Sequence, residues 1–337
     1  MKATVIGASG YSGGELLRLI AAHPHFQLHG AIAHTSAGEK IAAVHPHLAS
    51  SHSGSFDSFT AELIGSSELL FFALPHGESG KIISDHKELF ASKKIIDLGA
   101  DFRLTSTSQW EKYYGGKHHG VWQYGLPELP GQREKIRTST HIANPGCYAT
   151  ALTIALAPFT QVVGKVNLSD VVITAASGTT GAGRSAKINL LGSEVMNSLS
   201  AYKVGGVHQH TPEIEQALTA LSGSEVRLSF TPFLAPMPRG ILASFGESSG
   251  DPEPVSPRRL GTLGSLFVTH PSLIDYTATR AELLETANDL FAMVASGKIK
   301  IGINHEYPLR DAAAAHRDVE QRKTTGSVVL IQAALAS

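Results

Sequence analysis

The sequence predicts an α/β fold: a parallel sheet flanked by helices over residues 1–145, then an α+β layer over residues 146–245. Two observations carry this. Short apolar runs recur through the first hundred residues and each stops at a turn, as strands buried on both faces do. From about residue 166 the strand-like runs stand further apart, with longer excursions between them.

Taken in order, residues 3–6 form an apolar strand, and Gly7-Ala8-Ser9-Gly10-Tyr11-Ser12-Gly13-Gly14 forms a turn. Residues 15–22 carry helical spacing at Leu16, Leu17, Leu19 and Ile20, and residues 27–33 resume as a strand. Residues 68–74 and 94–98 supply two further buried strands, and residues 151–157 a helix. Residues 170–175, 225–230 and 240–245 read as strands of the second layer. A stretch rich in Ser, Pro and Gly follows over 246–257, which leaves 246–337 as an atypical tail. A helix near 309–322 is the element that would complete the first domain.

The 28 Lys and Arg balance 29 Asp and Glu, so the net charge is -1 and no field favours a nucleic acid or an anionic membrane surface. Residues 69–74, the longest apolar stretch, end at Pro75, far short of the roughly 20 residues that span a bilayer. No signal-peptide pattern opens the sequence, so a cytoplasmic protein acting on a small molecule is expected. Cys147 is the single cysteine, which excludes an internal disulfide and a multi-cysteine zinc site. It is therefore either an inert small hydrophobe or a nucleophile.

Gly7, Gly10 and Gly13 lie between a strand and a helix. Glycines there permit a tight turn and close approach of a phosphate to the amides of a helix N-terminus, as in a Rossmann-type dinucleotide site. Ser9, Tyr11 and Ser12 belong to the same loop, and an ordinary tight turn is the alternative. The next strand ends in Ala33-His34-Thr35-Ser36-Ala37-Gly38-Glu39-Lys40, with no acid at its end for a ribose 2′-hydroxyl. Thr35, Ser36 and Lys40 favour a 2′-phosphate instead, hence NADP.

Pro145 and Gly146 precede Cys147, and a helical stretch follows, which places the sulfur at a helix N-terminus. Free amides and the partial positive charge there favour a thiolate and can hold an oxyanion. Downstream, His208-Gln209-His210-Thr211-Pro212-Glu213 admits three readings: a metal site, an acid/base and substrate cluster, or a His-rich surface loop. A soft metal would compete for the lone thiol, which ranks acid/base above metal. Ser177-Gly178-Thr179-Thr180-Gly181-Ala182-Gly183-Arg184 and Pro236-Met237-Pro238-Arg239-Gly240 each join a loop to an arginine. Arg184 and Arg239 suit an anionic substrate, or are solvated surface residues.

Together these segments resemble the N-acetyl-gamma-glutamyl-phosphate reductase family, NADP-dependent enzymes of arginine biosynthesis. The likeness also takes in Ala73-Leu74-Pro75-His76-Gly77, Asp97-Leu98-Gly99-Ala100-Asp101-Phe102-Arg103, Tyr124-Gly125-Leu126-Pro127-Glu128 and Asn144-Pro145-Gly146-Cys147-Tyr148-Ala149-Thr150, in order, to about residue 243. It implies a catalytic domain of the semialdehyde-dehydrogenase type, Cys147 as nucleophile, and His208 or His210 as the acid/base or substrate-orienting group. Glu213 and Arg239 would bind the acyl phosphate, with Asn144 and Arg184 beside them. Leu74, Pro75, Ser177 and Gly178 would join the cofactor site. The resemblance implies no metal and a homo-oligomer. The implied chemistry passes through a Cys147 thioester that hydride reduces to the aldehyde.

From about residue 244 the pattern is similar instead to the C-terminal third of an NADPH:quinone oxidoreductase. Gly264-Ser265-Leu266-Phe267-Val268-Thr269-His270-Pro271, Tyr276-Thr277-Ala278-Thr279-Arg280 and Glu306-Tyr307-Pro308-Leu309 carry that likeness. A fused, recombined or designed chain, joined near 240–246, is the expectation. Two alternatives follow: a quinone or enone reductase that needs no cysteine, and an NADP-binding module whose catalytic geometry fails.

Overall fold

Apolar and β-branched residues with no room for a polar face make β1 (Lys2–Ile6), β2 (Gln27–Ile32), β3 (Leu69–Phe72) and β4 (Lys94–Asp97) the centre of a parallel sheet. All four residues of β3 are buried, as a strand covered on both faces requires. In this computed structural model, which describes residues 1–162, 171–247, 279–299, 303–321, 323–324 and 327–331, β5 (Gln123–Tyr124) and β6 (His141–Ala143) complete six strands in the order β2-β1-β3-β4-β6-β5. The chain leaves β1 toward β2 on one side, and β3 pairs with β1 on the other. The carboxyl ends of β1 and β3 therefore flank the crevice where open α/β sheets bind ligands.

Helix α1 (Tyr11–Ala22) begins four residues before the expected start at Glu15 and buries Gly13, Gly14, Leu17 and Ile20. Glycines are poor helix formers, but close approach demands them here. A Cβ on Gly13 would lie 2.3 Å from the Gly7 carbonyl oxygen, and one on Gly7 (φ +88°) would lie 2.4 Å from that of Ala73. Helix α2 (Glu78–Asp85) follows β3, and both carboxylate oxygens of Asp101 accept amides at its start, Gly77 N at 2.6 Å and Gly80 N at 2.7 Å.

The second sheet is mixed. β7 (Val171–Ser177) pairs parallel with β9 (Leu228–Leu234) and antiparallel with β10 (Ile241–Glu247), and β8 (Ser200–Ala201) closes the order β10-β7-β9-β8. β9 starts three residues later than the sequence suggests. Just before it Val226 N is held by the Thr219 hydroxyl, and at its first residue Leu228 N donates to Glu215 Oε1, so these two amides are tied to side chains of the preceding helix. Helices α3 (Cys147–Val162) and α4 (Thr211–Ser222) cover one face, where Tyr148, Leu152, Leu156, Ile214 and Leu218 meet Val171, Ile173, Ala175 and Phe230. On the other face Val172 and Leu242 remain 45% and 75% exposed.

The chain divides into two compact units, Met1–Met196 with Ser200–Leu266, and Asn197–Leu199 with Phe267–Ser337. Both sheets belong to the first. In the second, α5 (Arg280–Ala295) opens on a reciprocal cap between Thr279 and Glu282, and β11 (Ile303–Pro308) pairs parallel with β12 (Ser327–Ile331) across α6 (Ala312–Glu320). The linker-like residues beyond Glu247, the segment 264–271 and residues 276–278 lie outside the described residues.

Candidate active site

The glycine loop opens onto the N-terminus of α1. Gly10 sits at the N-cap of α1 with extended backbone, and no side-chain hydrogen bond caps the helix, a geometry in which first-turn amides can receive a phosphate. Leu74 packs against Gly7 from the end of β3. Thr35 and Lys40 are exposed and Ser36 half-buried just past β2, the strand beside β1. These residues fit a dinucleotide. A cleft of about 520 Å³ opens beside the first turn of α1, lined by Tyr11, Ser12, Asn144, Thr180 and Arg239 with Phe71, Ile96 and Leu98. Ser177 ends β7, and Gly178 leads the loop that reaches this cleft; a Cβ on Gly178 would lie 2.6 Å from the Arg239 amide nitrogen. Arg239 itself is paired with Glu15 at 2.6 Å, on α1.

Asn144 joins this cleft to the cysteine three residues on. Cys147 is the first residue of α3, as the preceding Pro-Gly indicates. Its side chain is reached by solvent, yet crowded by protein. That burial raises the thiol above its ordinary value, against the lowering effect of the Tyr148 amide, the Arg103 charge and its own amide; Glu213 raises it further. The expected thiolate at rest is thus corrected. The helix N-terminus favours the anion, but desolvation outweighs it.

The two histidines separate cleanly. His208 stands among the rings of Tyr148, Tyr202 and Phe230 at 5.2, 5.8 and 5.2 Å, and its Nδ1 accepts the His210 amide at 3.1 Å. Burial, then the neighbouring His210 and Lys203, push it down to about 3. His210 lies over Gly146 so closely that a Cβ there would be 2.4 Å from Nε2, one residue from the thiol. Burial holds it neutral, and its buried Nδ1 has no hydrogen-bond partner among the described residues. Neither imidazole is therefore a resting cation for the thiolate. Among the described residues no group of three or more His, Cys, Asp or Glu is placed to hold a metal ion.

Glu213 is fully buried, and three donors hold its carboxylate: Tyr124 OH at 2.8 Å, Gly146 N at 2.9 Å and Arg103 Nη1 at 3.2 Å. It fixes the backbone under the cysteine, and its oxygens are committed to the protein. Arg103 is the residue that sequence reasoning missed. Burial opposes its charge, but Glu213 and the surrounding phenols keep it protonated. It also donates to Leu98 O at 2.7 Å, while its buried Nε has no partner among the described residues. The one sequence signal was its place at the end of Asp97-Leu98-Gly99-Ala100-Asp101-Phe102-Arg103.

Asp97, at the end of β4, is buried and accepts Ser79 OH at 2.8 Å and Gly99 N at 2.9 Å through Oδ1, with Oδ2 unpartnered among the described residues. Burial pushes its carboxyl up to about 6. Between the ordinary carboxyl range and pH 6 the folded chain keeps a proton that the unfolded chain gives up, so stability falls as pH rises through that window. Asp97→Asn is expected to flatten this slope and to recover up to about 3 kcal/mol at neutral pH, read by urea unfolding at pH 5 and 7.

Residues 2–139 match the family model for the semialdehyde dehydrogenase NAD binding domain, and residues 147–253 that for the semialdehyde dehydrogenase dimerisation domain. Among solved structures, aspartate semialdehyde dehydrogenase with NADP from Candida albicans superposes with a TM-score of 0.53 at 16% identity, over 78% of this chain and 75% of that one. Aspartate semialdehyde dehydrogenase II complexed with ASA from Vibrio cholerae gives 0.52 at 14%, over 72% and 73%. At such identities these share the fold alone. The chain is 58% identical over 243 residues to the N-acetyl-gamma-glutamyl-phosphate reductase of Acidothermus cellulolyticus, covering 72% of this chain and 70% of that protein. With the enzyme of Salinispora arenicola it shares 52% over 248 residues, again 72% and 70%. These matches give the quinone-reductase alternative no support. A buried Glu213 under Gly146, a cysteine opening its helix and this level of identity leave one conclusion, that the chain belongs to the N-acetyl-gamma-glutamyl-phosphate reductase family.

Proposed function

We propose that the protein reduces N-acetyl-gamma-glutamyl phosphate to N-acetylglutamate semialdehyde with NADPH, through a thioester on Cys147. The observation that carries this reading is the placing of Cys147 at the head of α3, with His210 against Gly146 and Arg103 held below by Glu213. Cys147 attacks the acyl carbon and the carbon–oxygen bond to phosphate breaks, so phosphate leaves with the electron pair. His210, neutral at rest, takes the thiol proton as the sulfur attacks. The buried Arg103 charge is felt at Cys147 and favours negative charge developing there. When bound, the reduced dinucleotide supplies hydride. His210 returns its proton to the sulfur as the carbon–sulfur bond of the tetrahedral adduct breaks and the oxyanion collapses to the aldehyde.

NADP is favoured over NAD by Thr35, Ser36 and Lys40 past β2. A homo-oligomer is supported by the dimerisation-domain match and by Val172 and Leu242 on the uncovered sheet face. No described helix is long and apolar enough to cross a membrane; the cytoplasmic location proposed here rests on the likeness to biosynthetic reductases. The test is aldehyde oxidation with N-acetylglutamate semialdehyde. NADP reduction that requires phosphate or arsenate, without NADPH–quinone turnover, is expected. Dinucleotide binding without turnover would contradict it.

A further inference from the structure

Arg184 does not stand with the cysteine cluster. Its Nη1 donates to Ser9 O at 3.2 Å, inside the glycine loop, and its Nη2 to Val44 O at 2.7 Å. The guanidinium carbon lies 5.7 Å from the centre of the Tyr11 ring. The loop that carries it is braced by a second one: Gly178 N bonds Gly240 O at 3.0 Å, Thr179 N bonds Met237 O at 2.9 Å, and Thr180 N bonds Pro238 O at 3.1 Å. Beside Arg184 opens a pocket of about 180 Å³ into which Lys187, Ser185, Thr179, Thr180 and Tyr11 also project. Two cations and several hydroxyls line it, and no acid does among the described residues. Two neutral carbonyls are weak company for a guanidinium, whose five donors and planar fork match a phosphoryl group.

We infer that Arg184, with Lys187 beside it, is a recognition residue for a phosphoryl group of the dinucleotide, closing over the glycine loop from the second sheet. This rests on the functional reading above, since it takes the dinucleotide as the ligand. It reassigns Arg184 from substrate to cofactor. Tyr11, the first residue of α1, lines the same pocket, while Arg184 supplies the charge that the loop itself lacks: residues 7–14 contain no lysine or arginine.

The test is equilibrium binding of NADPH and of NADH by nicotinamide fluorescence, without substrate, for the wild type, Arg184→Gln and Arg184→Lys, with thermal melts to confirm folding. Arg184→Gln is expected to weaken NADPH about 10- to 100-fold, and Arg184→Lys to recover part of that. The loss should shrink as salt rises, as a charge–phosphate contact requires. An equal loss for NADH identifies the pyrophosphate, and a loss confined to NADPH identifies the 2′-phosphate; either upholds the inference. Unchanged affinity in a folded Arg184→Gln protein, or a loss indifferent to salt, overturns it while leaving the proposed function standing. A wild type that binds neither dinucleotide overturns both.

Discussion

Cys147→Ser should lower kcat/KM for phosphate-dependent aldehyde oxidation by at least about 10³-fold, because an alcohol replaces the only thiol that can carry the acyl group. The fold should be indifferent to the change. Serine is a good residue at a helix start, the position Cys147 occupies at the head of α3. NADPH affinity should also hold, since the glycine loop belongs to the other sheet. Stopped-flow and equilibrium fluorescence on one preparation separate these quantities. A companion pH profile has a definite sign. Burial raises the thiol and holds His210 neutral, so the base that takes the thiol proton stays available and kcat/KM of the wild type should not fall as pH drops through the ordinary imidazole range.

His210→Asn should cost about 10²–10⁴-fold in kcat, the usual contribution of a positioned acid/base group. The geometry distinguishes it from its neighbour. His210 packs on Gly146, whereas His208 is enclosed by Tyr148, Tyr202 and Phe230 and already spends Nδ1 on the His210 amide. His208→Asn should therefore lower the melting temperature, with activity falling only as His210 is loosened. Gly146→Ala offers a check that leaves both imidazoles in place. Its methyl would sit 2.4 Å from His210 Nε2, so the ring must shift and kcat must drop with it. Full activity in Gly146→Ala would remove His210 from the proton transfer.

The parts legible in the sequence were those written in adjacent residues. Pro145 and Gly146 before Cys147 announce a helix start, and the structure begins α3 at the cysteine. The glycine loop is equally local. What could not be read depends on partners far along the chain. Arg103 gains its role from Glu213, 110 residues away. The two histidines look alike in sequence, and what divides them is the Tyr202 and Phe230 rings around His208 and the packing of His210 on Gly146. The direction of the thiol shift went against expectation because desolvation is a property of packing, which a helix N-terminus alone does not reveal. Arg184 and Arg239 looked like a matched pair for an anion. In the folded chain they reach the glycine loop and Glu15 of α1.

The most direct test mixes the enzyme with N-acetyl-gamma-glutamyl phosphate in the absence of reduced dinucleotide, quenches in acid, and measures phosphate release together with peptide mass. One equivalent of phosphate per chain, with the acyl group on the peptide containing Cys147 and absent from Cys147→Ser, is expected. Phosphate release without an adduct, or an adduct on another residue, would contradict the covalent route through Cys147.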